Sequence, residues 1–393
     1  MKDALYMAWQ YLFHHKVKTM LLVFAIALIV YLPVGLKVIV DQTAQALTER
    51  ARVTPLVIGA KGSSLELVLN SLYFESAPPL AISYSEVDRV ASYNGTTAIP
   101  VYSRFKVRHQ PIIGTTIDYF RFRRLKIAAG RQMAMLGECV VGAAAARRLG
   151  VSVGDAVISS PDSVFDLAGV YPLKMNVVGV LKSTDSPDDE AVFADVKTTW
   201  TIAGLAHGHE KLSDTTDNSK VIGKGDGVIV ANAAVIKYNE ITPENVNSFH
   251  FHGDMAEFPV TAVIAIPKDD KSSAILQGKY LGEDELVQIV RPFDVMNDLT
   301  ETVVSIRQYV LTAVIVIGIS TVITTILVFM LSLRLRKREV ITMHRIGGSR
   351  ARVFSILSAE IVVTIFMGVC LAGILTVITA EFGTELIRSI VMQ

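Results

Sequence analysis

Residues 308–333 read QYVLTAVIVIGISTVITTILVFMLSL, 26 consecutive positions without a charge between Arg307 and Arg334. A helix needs about 20 apolar residues to cross roughly 30 Å of hydrocarbon, so this stretch is long enough to span a bilayer. A buried core helix is the plainer alternative, but core helices rarely run so long without a charge. Two further segments repeat the pattern. TMLLVFAIALIVYLPVGL (19–36) lies between Lys18 and Lys37, and IVVTIFMGVCLAGILTVITA (361–380) lies between Glu360 and Glu381. Pro33 and Gly35 in the earlier segment are compatible with a span, because membrane helices accommodate such breaks. Composition agrees: of 393 residues, 51% are hydrophobic and 19% charged, more apolar and less charged than a typical soluble chain.

A cleaved signal peptide competes for the first segment, since Ala44-Gln45-Ala46 offers a small-x-small site beyond it. The stretch ahead of the apolar run is about 18 residues, and the run itself exceeds the usual 7–15. A retained anchor is therefore expected.

Charge orients the spans. The 38 basic and 37 acidic residues give a net charge of +1, which excludes a strongly basic nucleic-acid binder on bulk electrostatics. The balance hides an asymmetry. Residues 1–19 hold Lys2, Lys16 and Lys18, and residues 334–352 hold Arg334, Arg336, Lys337, Arg338, Arg345, Arg350 and Arg352. With Asp3 and Glu339 subtracted these two flanks carry +8, and the remainder carries −7. The positive-inside bias makes both flanks cytoplasmic and residues 41–306 extracytoplasmic.

These readings divide the chain. Residues 1–19 form a cytoplasmic amphipathic helix, with Leu5, Ala8, Trp9 and Leu12 on one face against membrane lipids. Spans follow at 20–40, 308–333 and 353–380. The expected fold class is thus an α-helical transmembrane part of three spans carrying a large α+β extracytoplasmic domain, with a tail at 381–393. In that domain, strand-like runs occur at 53–60, 96–107, 112–120, 175–181 and 258–266. Helical patterns occur at 84–93, with Ser85 as a capping residue, and at 138–150, closed by Gly150. STDSPDDE (183–190) reads as a solvated turn dividing two subdomains, and 206–227 as a mobile loop, within a histidine-containing region of about 201–255.

Three blocks, in this order, resemble the MacB/FtsX-type permease subunits of ATP-binding-cassette systems, the LolC/E-like members included. AWQYLFHHKVKTMLL (8–22) is similar to the family's amphipathic approach to its first span. AAGRQMAMLGECVVGAAAARRLGVSVGD (128–155) with MNVVGVLKSTDSPDDEAVFADVKTTW (175–200) resembles the MacB-like periplasmic core. RLRKREVITMHRIGGSRARVFSILSAEIVV (334–363) resembles the loop between the second and third spans. The resemblance implies a second permease copy, as homo- or heterodimer, and a cytoplasmic ABC ATPase dimer. It further implies mechanotransmission in a bacterial inner membrane, with Glu339, Met343, Arg345, Ile346, Gly347 and Gly348 in the ATPase-coupling helix and turn. The family pattern has four spans, whereas only EFGTELIRSIVMQ follows Ala380. That implies either a variant without the fourth span or a truncated sequence.

The chain has no G-x-x-x-x-G-K-[ST] motif, and GKGDG (223–227) lacks the spacing that cradles phosphate. No cofactor is therefore expected in this chain, and ATP is expected on the partner subunit. No catalytic residue is assigned. The acids at 185–190 read as solvated, and Cys139, placed at a helix start, is activated only if the helix dipole outweighs Glu138. The histidines are more suggestive. His207 and His209, like His250 and His252, stand at i and i+2 and share a face in extended chain. Two such pairs can supply four imidazoles to zinc or copper.

Three functions fit these residues. One is cargo handling (lipoprotein, peptide, lipid or small amphiphile) by the external domain. Another is FtsX-like signalling that activates an extracytoplasmic hydrolase through an accessory protein, and the third is a metal-responsive membrane receptor.

Overall fold

The computed structural model describes residues 2–93, 95–160, 172–208, 221–225, 228–231, 239–282, 285–335, 341–342, 345 and 349–391. The chain divides into two units, residues 1–49 with 297–393, and residues 50–296.

The first unit is helical. Lys2–His14 is followed by Lys16–Val53, and Pro292–Leu335 and Arg350–Val391 supply the remainder. Among the described residues, two stretches are long and apolar enough to cross a membrane, Lys16–Ile39 and Ala351–Glu381. Within Pro292–Leu335 the described apolar stretch is Val314–Thr324. Polar side chains pair along the two long stretches: Lys18 Nζ lies 3.5 Å from Glu360 Oε1, and the Tyr31 and Thr379 hydroxyls lie 2.8 Å apart. Both helices therefore run in the same direction. A small residue permits the close approach, since a Cβ on Gly368 would fall 2.6 Å from Ile26. Lys2–His14 packs against Arg350–Val391; Ala8 and Leu12 are buried, whereas Leu5 and Trp9 are exposed.

The second unit is built on a mixed sheet. Its strands are β1 (Leu56–Ala60), β2 (Ile82–Ser83), β3 (Thr96–Val107), β4 (Gln110–Thr115), β5 (Ile127–Gly130), β6 (Glu138–Val141), β7 (Ala156–Ile158) and β8 (Lys174–Leu181). They continue with β9 (Val192–Asp195), β10 (Ala206–Gly208), β11 (Val221–Gly225), β12 (Val228–Ala231), β13 (Phe249–Phe251), β14 (Pro259–Val260), β15 (Ala262–Pro267) and β16 (Val287–Val290). Ten of them make one sheet in the order β16-β1-β15-β3-β4-β9-β6-β8-β5, with β7 also on β8. β4–β9 and β6–β8 are parallel and the other pairs antiparallel, so the α+β expectation holds. β8 alternates strictly between buried and half-buried residues, the pattern of a strand with one face on the core. Trp200, Tyr102, Tyr119 and Phe193 are the largest fully buried side chains among the described residues.

Several local expectations need correction. The run 112–120 is a strand only to Thr115, and Ile117–Arg123 is helical. Thr116 takes extended backbone at the helix N-cap and Asp118 sits in the first turn, a helix start that the apolar spacing masks. The run 138–150 is likewise two elements, β6 and the helix Ala143–Leu149. Gly150 does close that helix, in left-handed backbone at φ +67°. Ser85 is not the cap of Ser85–Ala91, because Tyr84 occupies the N-cap position; Ser83 Oγ instead accepts from Ser85 N at 3.3 Å. Strand β1 starts at Leu56, because the preceding helix continues to Val53. Inside 206–227, the stretch read as a loop, Ala206–Gly208 and Val221–Gly225 are strands.

Candidate functional site

Two polar clusters stand out in the second unit, one buried and one displayed. The buried one forms around the turn 183–190. Ser186 caps a short 3-10 helix, Pro187–Glu190, and accepts from Asp188 N. Asp188 and Asp189 are only 1% and 5% exposed, so this turn is not the solvated segment its composition suggests. Asp189 turns back on the preceding residues, accepting from Ser183 Oγ at 2.7 Å, Thr184 N at 3.0 Å and Asp185 N at 2.9 Å. Asp188 instead meets Arg50, which lies in the last turn of Lys16–Val53. Arg50 Nη1 and Nη2 donate to Asp188 Oδ2 and Oδ1 at 2.7 and 2.8 Å, a bidentate geometry. The Tyr119 hydroxyl donates to Oδ1 at 2.7 Å and accepts from Arg50 Nη2 at 2.8 Å. Arg50 Nε donates to the Leu72 carbonyl, and the Phe74 ring lies 5.6 Å from the guanidinium carbon.

The electrostatics follow from burial and pairing. Burial alone would raise the Asp188 carboxyl, but the Arg50 charge and the hydrogen bonds from Arg50 and Tyr119 outweigh it and hold the group below its ordinary value. Burial also opposes the Arg50 charge, and its partners Tyr119 and Asp188 more than compensate. Burial pushes the Tyr119 phenol up. Breaking such a buried pair by removing one member typically costs about 3–5 kcal/mol. A steric match completes the arrangement, because Gly142 packs against the turn and a Cβ there would fall 2.3–2.5 Å from the backbone of Asp188 and Asp189.

The displayed cluster is formed by histidines. β10 and β13 pair antiparallel as a two-stranded ribbon with His207 opposite His250. Side chains alternate across a strand, so Ala206, Gly208, Phe249 and Phe251 share one face, and His207, His250 and His252 share the other. The apolar face meets the core: the Trp200 ring lies 6.4 Å from Phe251 and 5.1 Å from Phe258. Gly208 is required under Phe249, whose ring would stand 2.5 Å from a Cβ at that position. His252 N donates to the Leu205 carbonyl at 2.9 Å and fixes the end of the ribbon. On the solvent face the imidazole centroids are separated by 5.0, 4.6 and 4.8 Å. Their ligand atoms all lie within 4.8 Å of one another. The structure thus brings together three of the four histidines singled out in the sequence, and His209 lies outside the described residues.

Of the coupling set, Arg345 is helical and exposed, whereas Glu339, Met343, Ile346, Gly347 and Gly348 lie outside the described residues. Cys139 is not at a helix start but inside β6, where burial, with Glu138 adding to it, pushes its thiol up to about 12. It is an inert core residue. Glu138 has a structural role. Arg131 Nη1 donates to it at 2.8 Å, and it accepts from Ala134 N at 2.8 Å and Met135 N at 3.1 Å, closing the loop from Gly130-Arg131 to Gly137-Glu138. The Arg131 hydrogen bond holds the Glu138 carboxyl below its usual range. Sequence reading missed Arg50 and Tyr119 altogether, since TERAR (48–52) and IDYF (117–120) carry no sign of a common partner.

A search of curated proteins gives no match. Two solved structures are similar, each at 12% identity. The extracellular domain of the noncanonic ABC-type transporter YknZ from Gram-positive bacteria covers 60% of this chain and 98% of its own, with a TM-score of 0.32. The periplasmic region of MacB from Actinobacillus actinomycetemcomitans covers 64% and 97%, with a TM-score of 0.33. Residues 19–234, over half of the chain, match the MacB-like periplasmic core domain, in agreement with the motif blocks at 128–155 and 175–200. On that match the chain belongs to the MacB/FtsX-type family of ABC transporter permeases, membrane proteins that carry an extracytoplasmic domain.

Proposed function

We propose that this chain is a non-catalytic permease subunit that relays the motion of a cytoplasmic ABC ATPase dimer across the inner membrane to its external domain. The external domain then handles cargo. The helix Lys16–Val53 supports this reading most directly, because it carries the chain without interruption from the apolar stretch Lys16–Ile39 to Arg50. There the bidentate pair with Asp188 fastens its last turn into the domain. A displacement along the helix would reach the core of the domain without passing through a loop.

The topology has support as well. The two long apolar stretches run in the same direction, as the Lys18–Glu360 and Tyr31–Thr379 contacts require. Their N-terminal flanks, 1–19 and 334–352, are the two basic segments of the chain, as expected if both face the cytoplasm. Pro292–Leu335 would supply a third span. A second permease copy would complete the transporter, with Glu339–Gly348 docking the ATPase.

The test replaces Glu339 with Lys and, more severely, Gly347 with Pro in the complex reconstituted in lipid vesicles. Both variants should insert normally and lose the coupling between ATP hydrolysis and external activity. Unchanged coupling in both would refute the docking assignment.

A further inference from the structure

The histidine ribbon is absorbed neither by the relay nor by the core. Exposed histidines on a surface ribbon have no reason to converge, yet three imidazoles meet here from two strands that are remote in sequence. We propose that His207, His250 and His252 form a binding site for a borderline divalent transition metal, with Zn²⁺ as its ordinary occupant.

The donor set favours that class. Among the described residues the donors are three imidazoles, which suit zinc, copper or nickel and suit poorly the all-oxygen preference of Ca²⁺ and Mg²⁺. Tautomer chemistry agrees. His250 Nδ1 lies 3.2 Å from the Ser248 carbonyl; a carbonyl only accepts, so Nδ1 carries the proton and Nε2 is the nitrogen with the ligand lone pair. A backbone carbonyl in this position is the usual outer partner of a metal-bound histidine, orienting the ring.

Distances are within reach. Tetrahedral zinc with bonds of about 2.0–2.1 Å needs nitrogens about 3.3–3.4 Å apart, so side-chain rotations must draw the set together by up to about 1.5 Å from its present limit of 4.8 Å. His250 and His252 are exposed and His207 is half-buried, so the rings can turn while the strand pairing fixes the backbone. Three ligands come from the described residues, and tetrahedral zinc takes a fourth donor, from the protein, from water or from an exchangeable group. The metal would be presented at the surface of the external domain, since His250 and His252 are exposed.

The full-length chain, purified in detergent micelles and stripped of metal with a chelator, is titrated calorimetrically with Zn²⁺. One saturable site per chain is expected. His207→Ala, His250→Ala and His252→Ala should each weaken it at least about 10-fold, the loss typical even of an outer-shell partner, and the triple variant should abolish it. The control H14A/H15A, which removes the only adjacent histidine pair in the chain, should bind as the unsubstituted protein does. Far-ultraviolet circular dichroism of each variant establishes that the fold is retained. Absence of saturable heat in the unsubstituted protein would overturn the site. So would full binding in a folded triple variant, equal loss in the control, or displacement of Zn²⁺ by equimolar Mg²⁺ or Ca²⁺.

Discussion

The Arg50–Asp188–Tyr119 cluster and the His207–His250–His252 cluster belong to the same unit and draw on similar numbers of polar groups, but they meet opposite environments. In the first, the Asp188 carboxylate accepts from Arg50, Tyr119 and Ser186 and is sealed from water. Nothing remains on Asp188 for a ligand to take, so its capacity is spent on holding the end of Lys16–Val53. In the second, the apolar half of the ribbon is spent on Trp200 and Phe258, and the polar half is displayed. On the proposed reading the satisfied, buried cluster transmits force and the convergent, exposed one binds metal.

The sharpest way to break this contrast is Asp188→Asn. It preserves the shape of the side chain and leaves the Arg50 charge buried without a counter-charge, which should destabilise the domain by about 3–5 kcal/mol. Urea unfolding followed by Trp200 fluorescence, in a Trp9→Phe background, measures the loss; a change below about 1 kcal/mol would place the pair among inert surface bridges. The same cluster predicts an acid limb. Asp188 is depressed in the folded state, so its contribution is complete above the unfolded carboxylate value of about 3.9 and is lost as pH falls through the lower folded value. Stability of Asp188→Asn should lack that part of the acid dependence.

A smaller effect is expected at Gly142. Adding a methyl group against the Asp188 and Asp189 backbone forces the turn to shift and should cost about 1–3 kcal/mol, read by the same unfolding assay. The smallest effect on stability belongs to the other side of the comparison. Alanine at His207, His250 and His252 should change metal-free stability by no more than about 0.5 kcal/mol. A larger loss would make the histidines part of the scaffold and erase the distinction.

The two clusters were legible in the sequence to different degrees. Strand β3 is bounded as its composition indicates, and the spacing of His250 and His252 announced their shared face, because both features depend on neighbours in sequence. Asp188 could not be read in this way. Its partners Arg50 and Tyr119 lie 138 and 69 residues away, and SPDDE on its own has the composition of a solvated turn. The boundaries inside 112–120 and 138–150 were hidden for a related reason: short apolar runs fit strand and helix equally until tertiary packing chooses. Gly142 makes that choice visible, since the approach of the Asp188–Asp189 backbone admits no side chain where β6 gives way to helix.

The relay itself is tested most directly by purifying the tagged chain from its native membrane in mild detergent and identifying what accompanies it. A stoichiometric ABC ATPase bearing the phosphate-binding G-x-x-x-x-G-K-[ST] motif that this chain lacks should accompany it. Recovery of the intact, folded chain without any such ATPase would contradict it.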